Sequence, residues 1–167
     1  EQKNHRFLID IFNEVHKERS NSLLLLIGQG PLMEEIKEKV HSLNLDDSVI
    51  FLGQRNDVNE FYNAMDLFLF PSLYEGLGMV LIEAQSSGLY CITSDEVPIV
   101  ANVTGNVIFV NLLVSAYDWN CIVNSYLLKK RKVETYKLLN QGYDIKKETI
   151  KLEKKYIVAF KEKEIVI

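Results

Sequence analysis

The stretch Asp66–Gly88, DLFLFPSLYEGLGMVLIEAQSSG, decides the fold of this 167-residue chain. Leu67–Phe70 is a short apolar run of the kind that forms a strand buried in a parallel sheet. Pro71 ends it, because a proline has no N–H to give a ladder. A loop containing Glu75, Gly76 and Gly78 follows, and Met79 to Ser87 reads as a helix. Strand, glycine loop and helix N-terminus in that order leave backbone N–H groups free at the positive end of a helix dipole. Such a junction is a natural seat for phosphate. Glu75 and Glu83 bracket it with seven residues between them.

The same alternation extends in both directions. Upstream, His5–Arg19 carries Phe7, Leu8, Ile11, Phe12 and Val15 at helical spacing. Leu23–Ile27 is a strand that runs into Gly28-Gln29-Gly30-Pro31, with the proline suited to the first turn of a helix over Leu32–Leu43. Val49–Leu52 is a further strand, ended by Gly53-Gln54-Arg55-Asn56. Asp57 is the expected N-cap of a helix to Ala64, with Glu60 three residues on. Downstream, Gly88 suits a helix C′ position. Tyr90–Thr93 and Val107–Val110 are strands, and Pro98–Asn102 is a short helical turn between them. Helices are expected near 114–128, 131–141 and 146–161.

Solid apolar strands alternating with helices predict an α/β fold: a Rossmann-like three-layer sandwich with a parallel sheet covered on both faces. Five strands are visible, and a sixth is expected ahead of Glu1. Open parallel sheets bind ligands beyond the carboxyl ends of their strands. Gly28 and Gly30, Gln54 and Arg55, the loop Glu75–Gly78, and Ser94 and Asp95 should therefore share one rim.

Composition limits what that rim does. Apolar residues make up 47 % and charged residues 25 % of the chain, as in a globular domain. Residues 1–65 hold 7 basic and 11 acidic side chains, 66–125 hold 0 and 6, and 126–167 hold 12 and 6. An anion bound in the middle third must lean on backbone N–H groups, or on a cation from elsewhere. The basic end reads first as a solvated helix surface, with peripheral contact to an anionic membrane as the sharper alternative. An acidic domain without a recognisable binding module gives no reason to expect nucleic acid. Cys91 and Cys121 lie in apolar segments without metal-ligand or disulfide spacing, so both are expected to be buried and reduced in a cytoplasmic protein. His5, His16 and His41 have no ligand partners at metal-binding spacing and are read as structural or exposed.

With these residues in place, the chain resembles the C-terminal, donor-binding half of the "glycosyl transferases group 1" family of retaining enzymes with the two-domain GT-B fold. PSLYEGLGMVLIEA carries that family's Glu–seven residues–Glu pattern as Glu75 and Glu83. GQGP at 28–31, VIFLGQRNDV at 49–58 and YCITSDEVP at 90–98 follow in the family's order, and QKN at 2–4 resembles the end of its Gly-Arg…Lys segment. The nearest likeness is to bacterial capsular and exopolysaccharide enzymes.

The resemblance implies roles. Residues 1–167 would be the donor domain, with 114–167 a C-terminal helical segment and an N-terminal acceptor domain absent. Glu83 would accept hydrogen bonds from the ribose hydroxyls of a nucleotide-sugar. Its setting among Val80, Leu81, Ile82 and Ala84 also suggests a buried carboxylate in need of a partner; the plainer alternative is an acid favoured by the helix dipole. Glu75 would face the transferred sugar, the plainer alternative being a solvated loop acid. Gly76, Leu77, Gly78, Met79 and Val80 would line the donor with backbone N–H groups. Lys3 would neutralise the leaving diphosphate, alongside an arginine upstream of this chain. Gly28 and Gly30 would border the donor, and Gln54 and Arg55 would lie near the base.

The donor implied is a UDP-sugar rather than a GDP-sugar, with neither metal nor further cofactor. The acceptor is a sugar or lipid-linked glycan held by the missing domain, and the location is the cytoplasm or the inner face of the plasma membrane. The full-length protein would be a hexosyltransferase, and this piece alone inactive. A nucleotide-sugar epimerase or hydrolase of the same fold, and a non-catalytic nucleotide-binding module, are the alternatives. A glycosidase is disfavoured, because one glutamate is assigned to ribose rather than to the scissile bond.

Overall fold

The computed structural model describes residues 1–164; positions 165–167, the tail of the expected helical segment, lie outside the described residues. The chain forms two compact units, Glu1–Val133 and the residues from Glu134 onward. In the first unit the helices are α1 (His5–Glu18), α2 (Met33–Ser42), α3 (Val58–Ala64), α4 (Met79–Ser86) and α5 (Ala116–Leu127). The strands are β1 (Leu24–Ile27), β2 (Val49–Gly53), β3 (Leu67–Phe70), β4 (Tyr90–Ser94) and β5 (Val107–Val110), and a 3₁₀ turn spans Ile99–Ala101. The second unit contains α6 (Thr135–Asn140) and α7 (Ile145–Glu164). Gly142, at φ 89°, turns the chain between them.

All the strand pairs are parallel. Because successive strand residues point to opposite sides, β3, β4 and β5 feed two separate cores. Leu67, Leu69, Ile92, Ile108 and Val110 pack with Ile9, Ile11 and Phe12 of α1 and Trp119 and Val123 of α5. Phe68, Phe70, Cys91, Val107 and Phe109 pack with Tyr62 of α3 and Leu81 and Ala84 of α4. Helix, sheet and helix are thus stacked in three layers.

The strands form two hydrogen-bonded ladders. β1 pairs with β2, and β3, β4 and β5 form a separate ladder in that order. The cover is incomplete at one position of β1–β2. Leu24, Leu26, Val49 and Phe51 turn into the first core, but Ile50 on the opposite side is exposed. The reason is that α3, which follows β2, packs towards α4 and places Tyr62 in the second core.

Three local expectations change. Asp57 precedes α3 but does not cap it with its side chain. Its carboxylate is held by Arg55, with Nε to Oδ1 at 2.8 Å and Nη2 to Oδ2 at 2.5 Å. Pro31 lies ahead of α2 rather than in its first turn, since Leu32 is the N-cap. Cys121 is exposed, against the expectation of burial, while Cys91 is buried in the second core. One end signal reads true: α4 closes at Ser86 and Gly88 turns the chain at φ 75°.

Candidate functional site

Where Pro71 withdraws β3 from its ladder, side chains of β4 take over the loose backbone. Thr93 Oγ1 donates to the Phe70 carbonyl at 2.8 Å, and Ser94 Oγ donates to the Ser72 carbonyl. All three hydroxyl residues at this junction, Ser72, Thr93 and Ser94, are fully buried. Satisfied in this way, the polar groups stiffen the loop that carries Glu75.

Glu75 sits at the centre of the arrangement, with its side chain only 8 % exposed. Ser72 Oγ lies 2.8 Å from Glu75 Oε1, and Lys3 Nζ lies 2.5 Å from the same oxygen. The Lys3 ammonium also stands 4.7 Å from the centre of the Phe70 ring. The chain start is tied to this loop through its backbone, with Leu73 N–H donating to the Gln2 carbonyl at 2.8 Å. Gln2 Nε2 in turn donates to the Tyr74 carbonyl at 2.9 Å. A carboxylate and an ammonium 72 positions apart are therefore fixed side by side.

Gly78 is the N-cap of α4, in the left-handed region at φ 72°, and no side chain caps this helix end. An added Cβ there would meet Leu81 and Val97 at 3.4 Å, so the conformation and the packing both favour glycine. A Cβ added at Gly76 would meet nothing within 4 Å. Met79 is exposed, and Leu77 and Val80 are half-buried. The helix start is thus reached from solvent at Gly76 and Met79, while Gly78 is buried.

Glu83 departs from its expected burial. It is exposed, because Leu81, Ile82, Ala84 and Gln85 take the buried side of α4. It is nonetheless held: the hydroxyl of Tyr62, a residue buried in the second core, donates to Glu83 Oε2 at 3.3 Å. Burial, and then the adjacent carboxylate of Glu83, push the Tyr62 pKa far above its ordinary value, so this hydroxyl remains a donor.

A cavity of about 650 Å³ opens beside this loop, lined in part by Lys3, His5, Gly28, Gly30, Phe51 and Leu73. Burial, with the positive charges of the chain N-terminus and Lys3, holds His5 below the usual imidazole range. Lys3, Gly28 and Gly30 thus gather at the cavity, and Lys3 links it to Glu75. Gln54 and Arg55 do not line it. Both are exposed, and Arg55 lies against Asp57 and over the Phe61 ring at 5.2 Å. The β1 and β2 loops meet where Gly28 N–H donates to the Gly53 carbonyl at 2.7 Å, and the chain start ties to the β3 loop through Gln2 and Leu73. Among the described residues, no three His, Cys, Asp or Glu side chains gather as a metal site, and no helix is long and apolar enough to cross a membrane.

Sequence reading missed Tyr62 and Ser72. Ser72 gives a faint signal as a hydroxyl directly after an apolar run and its proline. Tyr62 gives none, since nothing local distinguishes it from a core aromatic.

The family described as Glycosyl transferases group 1 matches residues 1–125. EpsF of Bacillus subtilis (strain 168), named as a candidate glycosyltransferase, is 44 % identical over 97 residues, covering 58 % of this chain and 25 % of its own. The UDP-Gal:alpha-D-GlcNAc-diphosphoundecaprenol alpha-1,3-galactosyltransferase of Escherichia coli is 30 % identical over 154 residues, covering 82 % of this chain and 37 % of its own. Among solved structures, WaaG, a glycosyltransferase involved in lipopolysaccharide biosynthesis, superposes with a TM-score of 0.68 at 26 % identity, over 77 % of this chain and 35 % of WaaG. The chain thus spans between a quarter and a little over a third of the length of these relatives.

Proposed function

Since the chain belongs to the glycosyl transferases group 1 family, we propose that it is the donor-binding half of a retaining glycosyltransferase. The full-length enzyme moves a sugar from a nucleoside diphosphate to a hydroxyl acceptor. The observation that carries this reading is the Lys3–Glu75 pair, set beside the glycine loop and the uncapped start of α4.

Each part has a task. The N–H groups of Gly76–Val80 and the positive end of α4 receive the diphosphate and the sugar hydroxyls. Lys3, held beside them by the backbone ties of Gln2, adds the positive charge that the middle third of the chain lacks. Charge stabilisation of the departing diphosphate lowers the barrier to its loss. Glu75 faces the sugar, and its carboxylate supports the positive charge that develops at the anomeric carbon. Glu83 receives the ribose hydroxyls. Gly28 and Gly30 border the donor from β1, and Gln54 and Arg55 lie towards the base. Catalysis in this scheme draws on protein groups alone.

The donor is read as a UDP-sugar and the acceptor as a lipid-linked glycan of a bacterial surface polysaccharide. The name of the E. coli relative supports this, since it gives UDP-galactose as donor and a diphosphoundecaprenol-linked sugar as acceptor. The acceptor is held by a domain outside this chain, on the cytoplasmic side of the membrane. Incubating the full-length protein with a labelled UDP-sugar and a lipid-linked acceptor tests the reading. Label joined to the acceptor with its anomeric configuration kept supports it. Label released as free sugar, or recovered only as an epimerised nucleotide-sugar, overturns it.

A further inference from the structure

Glu83 is a flexible, exposed side chain given a precise task, the reception of two adjacent hydroxyls. A free glutamate has three rotatable bonds and loses rotamer freedom when a ligand fixes it. The structure provides a way to avoid that loss. Tyr62 rises from α3 into the second core, where its ring meets Phe68 edge-on, with centres 5.7 Å apart and planes at 78°. Its hydroxyl reaches Glu83 Oε2 at 3.3 Å. The ring is almost wholly buried and cannot swing away, so the anchor is rigid while the carboxylate it holds is exposed.

Resting on the assignment of Glu83 to ribose, we propose that Tyr62 is a positioning residue for the donor site. It ties Glu83 Oε2 to the core, so that the carboxylate stands ready to accept both ribose hydroxyls. At 3.3 Å the bond is long for a hydroxyl donor, and catalytic and binding contacts commonly shorten when a ligand is bound. Burial and the neighbouring carboxylate keep the phenol protonated, so the tie survives across the working pH range.

The test uses the full-length protein and calorimetry with two probes, UDP and 2′,3′-dideoxy-UDP. Glu83→Ala examines the underlying assignment: the preference for UDP over its dideoxy analogue should disappear. Tyr62→Phe keeps the ring in the core and removes only the hydroxyl. It should weaken UDP binding about fivefold, the worth of one hydrogen bond. Dideoxy-UDP binding and the melting temperature should stay at their wild-type values. In the Glu83→Ala background, Tyr62→Phe should have no further effect on UDP.

The outcomes separate the two ideas. If Glu83→Ala leaves the preference for UDP intact, the ribose assignment fails and the positioning role falls with it. If Glu83→Ala abolishes the preference but Tyr62→Phe leaves it whole, the ribose assignment stands and the positioning role is overturned. Equal weakening of both probes by Tyr62→Phe also overturns it, because that pattern marks general disturbance of the fold.

Discussion

Lys3 Nζ lies 2.5 Å from Glu75 Oε1, joining the start of α1 to the loop after β3. The two residues are 72 positions apart, and the contact depends on a backbone hydrogen bond from Leu73 N–H to the Gln2 carbonyl. The Lys3 ammonium thus rests on the Glu75 carboxylate.

Glu75→Gln removes the charge while keeping the size and the contact with Ser72. In the full-length enzyme the turnover number should fall on the order of a hundredfold, the typical loss of a transition-state charge contact. The Michaelis constant for the donor should change much less, since the interaction matters most as charge develops. Steady-state kinetics with a UDP-sugar checks this. Unchanged turnover would remove Glu75 from the reaction.

Gly88→Ala should destabilise the first unit by about 1–2 kcal/mol from the left-handed backbone alone. The actual loss should be larger, because the new Cβ would stand 2.7 Å from Val133 Cγ2 and 3.2 Å from the Val133 nitrogen. Urea unfolding should show a lower midpoint with an unchanged slope.

Gln85 is a fully buried amide with every hydrogen-bonding group engaged. Its Nε2 donates to the Leu81 and Ala101 carbonyls at 2.9 and 2.7 Å, and its Oε1 accepts from the Thr104 backbone and hydroxyl at 3.0 and 2.9 Å. Gln85→Ala takes the donor from a buried carbonyl and leaves a void. The expected cost is about 2–4 kcal/mol, read by chemical denaturation. It should also loosen the Ile99–Ala101 turn, which amide hydrogen exchange would detect as lost protection.

His5 introduces a pH dependence. Burial and the nearby positive charges lower its pKa in the folded state, so the unfolded chain binds the proton more readily. Stability is therefore full above the unfolded imidazole pKa of roughly 6.5 and declines as pH falls below it. His5→Gln should lose this component, so that the stability difference between wild type and variant narrows between pH 7 and pH 5. A gap that widens in favour of wild type on acidification would reverse the sign.

How much of this was readable in advance follows from the range of the forces involved. The strands, the helix of α4 and its end at Gly88 were legible, because apolar runs, proline and glycine act on the backbone within a few residues. The pattern of Glu75 and Glu83 was legible for the same reason, as a spacing along one loop and one helix. The burial of Glu83 was misjudged, because its immediate neighbours are apolar but a helix turns each residue by about 100°, and Leu81, Ile82 and Ala84 take the inner side while Glu83 does not. Asp57 looked like a cap until Arg55, two residues earlier, claimed its carboxylate.

What the amino-acid sequence determined by itself was the order of the elements, the parallel α/β class and the presence of a phosphate-suited junction between β3 and α4. Only the tertiary structure decided that Lys3 meets Glu75, that Tyr62 reaches Glu83 across two helices, and that β1–β2 stands apart from β3–β4–β5. Local preferences are written into neighbouring residues, whereas contacts between distant ones depend on which faces the packed layers bring together, and no short stretch of the chain encodes that.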